Sequence, residues 1–252
     1  MLTRAILRRP GPDFAAGITT ANLGAPDPSR MLAQHTAYAD ALRAAGLELE
    51  VLDPLAGFPD AYFVEDVAVV VPELAVVARP GAASRRGEAE TIVPVLARER
   101  VLARLEHPAT LDGGDVLIAG RTVFIGLSAR TNEEGAGQLA RLLEPHGYRS
   151  RMVLVASGLH LKSSVSWLGG ETLLVSAQFA DRPEFRAYRR VVVEADEEPA
   201  CNSLLVNGTL LTPAGFPKTR AQLDGIGLRV IELDVSEARK MDGGLTCMSL
   251  RL

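Results

Sequence analysis

Two segments of the chain carry side chains whose types and setting suit covalent chemistry. Cys247 follows a glycine pair in Met241-Asp242-Gly243-Gly244-Leu245-Thr246-Cys247. Such a backbone lets a small, polarizable sulfur face a cavity. A cysteine is a strong nucleophile once a base, a cation or the substrate shifts it toward thiolate. Judged without context, a lone cysteine is as well explained as a core thiol, and that is the reading for Cys201 in Pro199-Ala200-Cys201-Asn202. Of the four histidines, His35 falls in a helical stretch, His107 before a proline and His146 at a helix end before Gly147. All three are expected to be surface or capping residues rather than catalysts. His160 differs, because Gly158-Leu159-His160-Leu161-Lys162-Ser163-Ser164 leads into an apolar strand from which a ring can project inward. A carboxylate from Leu111-Asp112-Gly113-Gly114-Asp115 would complete a nucleophile, a base and an orienting acid.

Such dispersed residues meet only if the fold gathers them. A small polar or acidic residue, an apolar strand, a tight turn, a second apolar strand and a helix recur every 40 to 50 residues or so. The copies begin at Asp66, Asp115, Ser164 and Asn202. Their turns are Pro-Glu, Ala-Gly, Gly-Gly and Asn-Gly, of which Asn207-Gly208 is the strongest hairpin signal. Helical patterns fall at 30–45, 88–105, 133–147 and 219–227. A fifth copy begins at Cys247, where the chain runs out, and its missing strand is available as Leu2 to Arg9. A unit shared between the termini closes a ring and removes the exposed sheet edge. The expected fold is a single α/β domain over residues 1–252, a five-unit propeller of ββαβ repeats with pseudo-fivefold symmetry, closed by the terminal strands.

In that ring Asp66, Asp115, Ser164, Asn202 and Cys247 should surround one central channel, with Asp60, Phe63, Glu65, Asp112, His160, Lys162 and Asp242 near its mouth. So many carboxylates beside a nucleophile suit a cationic substrate. Glu65 and Asp66 interrupt an otherwise apolar stretch, and a carboxylate is rarely buried without a partner. The composition, 47% hydrophobic with a formal charge of −4, supplies ample core. No basic block suggests nucleic acid, and no apolar run suggests a signal peptide or membrane span. The chain therefore reads as cytoplasmic, where two distant cysteines argue against a disulfide; no Cys/His cluster has zinc spacing, and no metal or organic cofactor is expected.

Six segments carry a resemblance that runs essentially from end to end. They are Phe58-Pro59-Asp60-Ala61-Tyr62-Phe63-Val64-Glu65-Asp66, the stretch from Arg79-Pro80-Gly81 to Gly87-Glu88, Leu111-Asp112-Gly113-Gly114-Asp115, Ser128-Ala129-Arg130-Thr131-Asn132, Leu159-His160-Leu161-Lys162 and the segment from Asp242 to Ser249. In this order they resemble the dimethylarginine dimethylaminohydrolase family, among the guanidino-group-modifying enzymes of the pentein-type five-bladed α/β-propeller fold. The resemblance implies Cys247 as nucleophile, His160 as general acid/base and Asp112 as its orienting carboxylate, a position where some members carry Glu. It further implies that Glu65 and Asp66 bind the guanidinium and that Asp60 lies near the substrate amine. Arg85 and Arg130 would take the α-carboxylate, Ile18 would contact substrate through a lid backbone, and Phe63 and Met241 would line the pocket. Read alone, Arg85 would be a solvated loop arginine and Arg130 a surface residue at a helix start.

The implied reaction is hydrolysis of Nω-methylated L-arginine to L-citrulline and an amine through a covalent amidino-enzyme. The expected partner is that small molecule, with no nucleic acid or membrane, and the protein is expected to be a monomer or homodimer. An arginine deiminase is the nearer alternative, disfavoured by the short chain. A non-catalytic binding protein on the same ring, as the ribosome anti-association factors are, is the more distant one and would need no cysteine, histidine and acid set.

Overall fold

The computed structural model describes residues 1–156 and 158–252. Five three-stranded sheets form, each with its inner strand antiparallel to the middle one and its outer strand parallel to the middle one. From inner to outer, the first blade is Leu250–Arg251, Arg4–Arg8 and Glu48–Leu52, and the second Ala68–Val70, Ala75–Val77 and Leu102–Arg104. The third is Val116–Ala119, Thr122–Leu127 and Arg149–Leu154, and the fourth Val165–Trp167, Thr172–Ser176 and Arg189–Val193. Leu204–Val206, Thr209–Pro213 and Arg229–Leu233 make the fifth. In the second to fifth blades the inner and middle strands are joined by the tight turns legible in the sequence. Asn207 and Gly208 both take positive φ, 47° and 83°, as a reversal matching the strand twist requires.

A parallel outer strand needs a crossover, which helices supply. Pro28–Ala44 starts on an Asp27 side chain that accepts from the Arg30 N–H, and Glu133–Leu143 on Asn132 accepting from Gly135. Arg86–Leu96 and Pro217–Asp224 serve the second and fifth blades. The expected helix over 88–105 ends at Leu96, because Leu102–Arg104 is needed as an outer strand. The fourth blade departs from the ββαβ plan. Two short turns, Ala177–Phe179 and Pro183–Phe185, replace its helix.

The apolar residues form five separate cores, one between each pair of neighbouring blades. Leu173 and Val175 pack with Leu117 and Phe124 of the third blade, whereas Leu174, between them in sequence, packs with Leu210 of the fifth. Alternate strand positions thus serve alternate blade faces. The first blade joins the fifth through Leu7 and Val206 and the second through Ile6 and Val77, which closes the ring. Terminal Leu250–Arg251 pairs with Arg4–Arg8, so the unit split between the chain ends forms as the sequence implies.

Each inner strand is preceded by a 3₁₀ turn: Val64–Val67, Gly113–Asp115, Leu161–Ser163, Ala195–Cys201 and Thr246–Met248. Consecutive turns from the last through the first to the fourth touch one another around the axis. Together they form a diaphragm across the channel. No helix among the described residues is long and apolar enough to cross a membrane.

Candidate active site

One side of the diaphragm opens on a cavity of about 20 Å³ lined by Ile18, Asp60, Phe63, Asp66, Arg85, Asp112, Arg130, Leu159, His160, Met241, Asp242, Gly243 and Cys247. Ten of the eleven residues singled out from sequence therefore share one wall. The exception is Glu65. Successive residues of a tight turn project to opposite sides, and the Glu65 carboxylate points to the other cavity. There its Oε1 pairs with Lys162 Nζ and Arg251 Nη2, each at 2.6 Å. Lys162, expected at the same mouth, goes with it. Of the five residues that begin the repeats, only Asp66 and Cys247 face the catalytic side.

His160 is held from two directions. Its Nε2 lies 3.0 Å from Asp112 Oδ2, and its Nδ1 lies 4.0 Å from Asp66 Oδ1. Burial pulls the imidazole toward neutrality. Asp66, Asp112 and Asp115 outweigh it and lift the ring to about 9. The resting histidine is an imidazolium that donates to Asp112. A Cβ on Gly114 would come within 2.6 Å of Nδ1, so this glycine admits the ring. Its N–H donates to Asp66 Oδ1 at 3.0 Å.

Asp115, the other carboxylate of the Leu111–Asp115 motif, does not reach the cavity. It accepts from Leu161 N–H, Ser128 Oγ and Thr131 Oγ1, and so ties the turn after His160 to the loop that carries Arg130. Asp112 itself accepts from Gly81 N–H at 2.8 Å.

Cys247 is 8% exposed, its thiol pushed up to about 12 by burial and by the negative charges of Glu65 and Asp66. The resting pair is consequently a neutral thiol and an imidazolium. Gly243 and Gly244 make this placement possible, since a Cβ on Gly243 would enter the Phe63 ring and one on Gly244 would strike Asn202. Asn202 accepts from Thr246 N–H and donates to Lys162 O, bracing the cysteine turn. Cys201 lies fully inside a blade core, where burial drives its thiol far above the usual range.

Arg85 lines the cavity, but its donors are engaged within the protein. Nη1 bonds Asp66 Oδ2 at 2.5 Å, Nε and Nη2 bond the Glu88 carboxylate, and Nη2 also reaches the carbonyls of Asp60 and Phe63. Burial disfavours the guanidinium charge, yet Asp66 and Glu88 hold it firmly protonated. Burial raises the Glu88 carboxyl to about 7 against the pull of Arg85. Nothing in the sequence singled out Glu88, although it stands three residues after Arg85 on the same helical edge. The half-exposed Arg130 guanidinium has no hydrogen-bond or ion-pair partner among the described residues.

The segment after Gly17 closes the cavity. Ile18 N–H donates to both oxygens of Asp60 at 3.1 Å, Thr19 Oγ1 to Lys240 O and Thr20 N–H to Asp242 Oδ2 at 2.5 Å. Burial raises the Asp60 carboxyl, which those N–H bonds and Arg85 partly offset. Asp66, Asp112 and His160 offer atoms within 4.8 Å of one another, a spacing that could hold a metal ion. Their bonds to each other, to Arg85 and to Gly114 already account for that closeness.

A family model described as N,N dimethylarginine dimethylhydrolase, eukaryotic, matches residues 27–192. The N(G),N(G)-dimethylarginine dimethylaminohydrolase of Pseudomonas aeruginosa is 40% identical over 253 residues, covering 100% of both chains. That of Streptomyces coelicolor is 38% identical over 99% of this chain and 96% of its own. The chain belongs to the dimethylarginine dimethylaminohydrolase family. In this family, the P. aeruginosa enzyme solved as a cysteine-to-serine mutant complexed with citrulline superposes with a TM-score of 0.98, at 40% identity over 100% of both chains. The N-terminal domain of ArgZ, at 19% identity and a TM-score of 0.88 over 98% of this chain, shares the fold. The five-unit propeller expected from the repeats, and its pentein type implied by the resemblance, are the fold of this chain.

Proposed function

We propose that this protein hydrolyses Nω-methylated L-arginines to L-citrulline and methylamine or dimethylamine, with Cys247 as nucleophile. The observation that carries the reading is His160, held 3.0 Å from Asp112 and facing Asp66 in the cavity that Cys247 lines. The relatives' names and the citrulline held by the P. aeruginosa enzyme support the substrate class.

Four carboxylates, Asp60, Asp66, Asp112 and Asp242, line the cavity against Arg85, Arg130 and the imidazolium, which favours a cationic guest. A space of about 20 Å³ holds little more than one water, so residues 17–20 must lift from Asp60, Lys240 and Asp242 for substrate to pass. The bound guanidinium, beside Asp66, offsets the negative charges that keep the thiol protonated and thereby promotes loss of its proton to solvent. The thiolate attacks the guanidinium carbon. His160 donates its proton to the methylated nitrogen, the C–N bond breaks, and the amine leaves behind a covalent amidino-enzyme. The now neutral His160 takes a proton from water as the water oxygen adds to the same carbon. Collapse breaks the C–S bond, returns the thiol and releases citrulline.

In this reading Arg130 receives the α-carboxylate, being the cavity arginine with free donors. Arg85 adds its positive field but serves mainly to hold Asp66. Glu65 is moved from the guanidinium set to the diaphragm. The proposal includes a cytoplasmic enzyme, a single catalytic domain over 1–252, a monomer or homodimer, and no cofactor. A citrulline assay across arginine, monomethylarginine and both dimethylarginines, with the released amine identified, tests it. Citrulline with methylamine or dimethylamine is expected, whereas turnover of arginine alone with release of ammonia would transfer the protein to the deiminase reading.

A further inference from the structure

The far side of the diaphragm encloses a second cavity, about 590 Å³, within the size range of small-molecule sites. The inner strands of all five blades supply its walls, including Val69, Leu117, Ile118, Trp167 and Leu204. Its buried end is charged. Glu65 Oε1 is shared by Lys162 and Arg251, while Glu65 Oε2 is buried without any hydrogen-bond partner among the described residues. The Arg251 guanidinium is otherwise taken up by the Thr246 and Ser249 carbonyls and the Ser249 hydroxyl. Lys162 Nζ has Glu65 Oε1 as its one acceptor among the described residues, which leaves two N–H groups of the ammonium free. Arg121 stands toward the exposed rim, already paired with Glu73 at 2.7 Å, and Glu65 is the one carboxylate on the wall among the described residues.

We propose that this cavity binds a small monocarboxylate with an apolar body and a hydroxyl beside the carboxylate. The carboxylate would meet Lys162 and balance the surplus positive charge of the Glu65, Lys162 and Arg251 cluster. The hydroxyl would donate to the orphaned Glu65 Oε2, and the body would lie on the aliphatic and indole walls. The two cavities have no lining residue in common. The inference is therefore independent of the chemistry assigned to Cys247.

Trp167 is the one tryptophan of the chain, it lines this cavity, and its Nε1 is anchored to Gly170 O at 2.8 Å. Its fluorescence reports occupancy directly. In full-length protein whose Cys247 has been blocked by iodoacetamide, titration with 2-hydroxy-4-methylpentanoate should give a saturable change in Trp167 emission. The neutral 2-hydroxy-4-methylpentanamide should bind at least roughly tenfold more weakly. Lys162→Met should weaken the carboxylate by a similar factor. Ile118→Phe, which narrows the cavity and leaves the charges in place, should weaken both compounds and decides the matter if Lys162→Met does not fold. No saturable response, an equal response to the amide, or affinity unchanged in Ile118→Phe would overturn the proposal.

Discussion

The two cavities share four of the five turns, yet they carry opposite electrostatic characters. Glu65 faces one and Asp66 the other; Gly113 and Asp112, Lys162 and His160, Thr246 and Cys247 divide in the same way. On the catalytic side carboxylates prevail and surround a histidine and a thiol. On the far side Lys162 and Arg251 share one carboxylate, while Arg121 at the rim is paired with Glu73. The difference shows that a pseudo-symmetric ring sorts chemistry by register. A shift of one or two residues within a turn decides whether a side chain meets the substrate or the back of the site. The back still matters, because Glu65 raises and Lys162 lowers the thiol of Cys247 across the diaphragm.

Removal of catalytic-side groups should produce the largest losses. Cys247→Ser should reduce turnover by roughly 10⁴-fold or more while leaving the thermal transition in place, since a hydroxyl cannot replace the sulfur. Alkylation blocked by substrate should map to Cys247 and spare Cys201, which is buried inside a blade core; peptide mass mapping decides this, and preferential labelling of Cys201 would refute the assignment. His160→Ala should cost on the order of 10³-fold, because the leaving amine loses its proton donor. The wild-type pH profile carries a sign that follows from the raised imidazole. The acid form is the competent one, so kcat/KM should fall as pH rises through about 9. A profile flat to pH 10 would remove the general-acid role.

Asp112→Asn should lose a smaller factor, roughly 10- to 100-fold in kcat, and should lower the pH at which activity falls. The amide keeps the shape and removes a charge that stabilises the imidazolium. Wild-type turnover in this variant would shift the orienting role to Asp66, the other carboxylate beside the ring. The sequence alone made this much of the site legible because residue types announced it: a thiol after two glycines, a histidine in a segment leading into a strand and acids within apolar runs. The blade plan was equally legible, from hairpins whose turns must contain Gly, Asn or Pro. Less legible was direction. Periodicity cannot tell Glu65 from Asp66, since both sit in one 3₁₀ turn, and the Arg85–Glu88 pairing depends on a burial that a polar loop sequence does not advertise. The fourth blade lacks its helix for a local reason, a short connection broken by Pro183.

Recognition far from the reacting carbon should be separable from chemistry. Methylated agmatine lacks the α-carboxylate and should be turned over roughly ten- to several-hundred-fold less efficiently than methylarginine. Arg130→Ala should erase much of that preference, which steady-state kinetics on the four enzyme and substrate pairs would show as a coupling term. Arg85→Ala is a poorer probe, because it unpairs buried Asp66 and Glu88 and should depress both substrates together. Equal effects of Arg130→Ala on both substrates would mean that the carboxylate is received elsewhere.

The smallest expected effect crosses the diaphragm and runs in the opposite direction. Glu65 never touches the catalytic cavity, but its charge helps to hold Cys247 as a neutral thiol. Glu65→Gln keeps a carbonyl acceptor for Lys162 and Arg251 while deleting the charge, leaving two cations whose field now favours thiolate. At fixed pH near 8 the alkylation of Cys247 should therefore accelerate, by roughly 3- to 10-fold for a charge acting through the partly shielded interior. The same substitution should destabilise the fold, by roughly 3 kcal/mol, because a buried ion cluster has lost its anion. Measuring both separates the back of the site from its front: a loosened structure alone would expose Cys201 to the reagent as well, whereas the electrostatic effect is confined to Cys247. Slower alkylation of Cys247 in Glu65→Gln would mean that the two faces of the diaphragm are electrostatically independent.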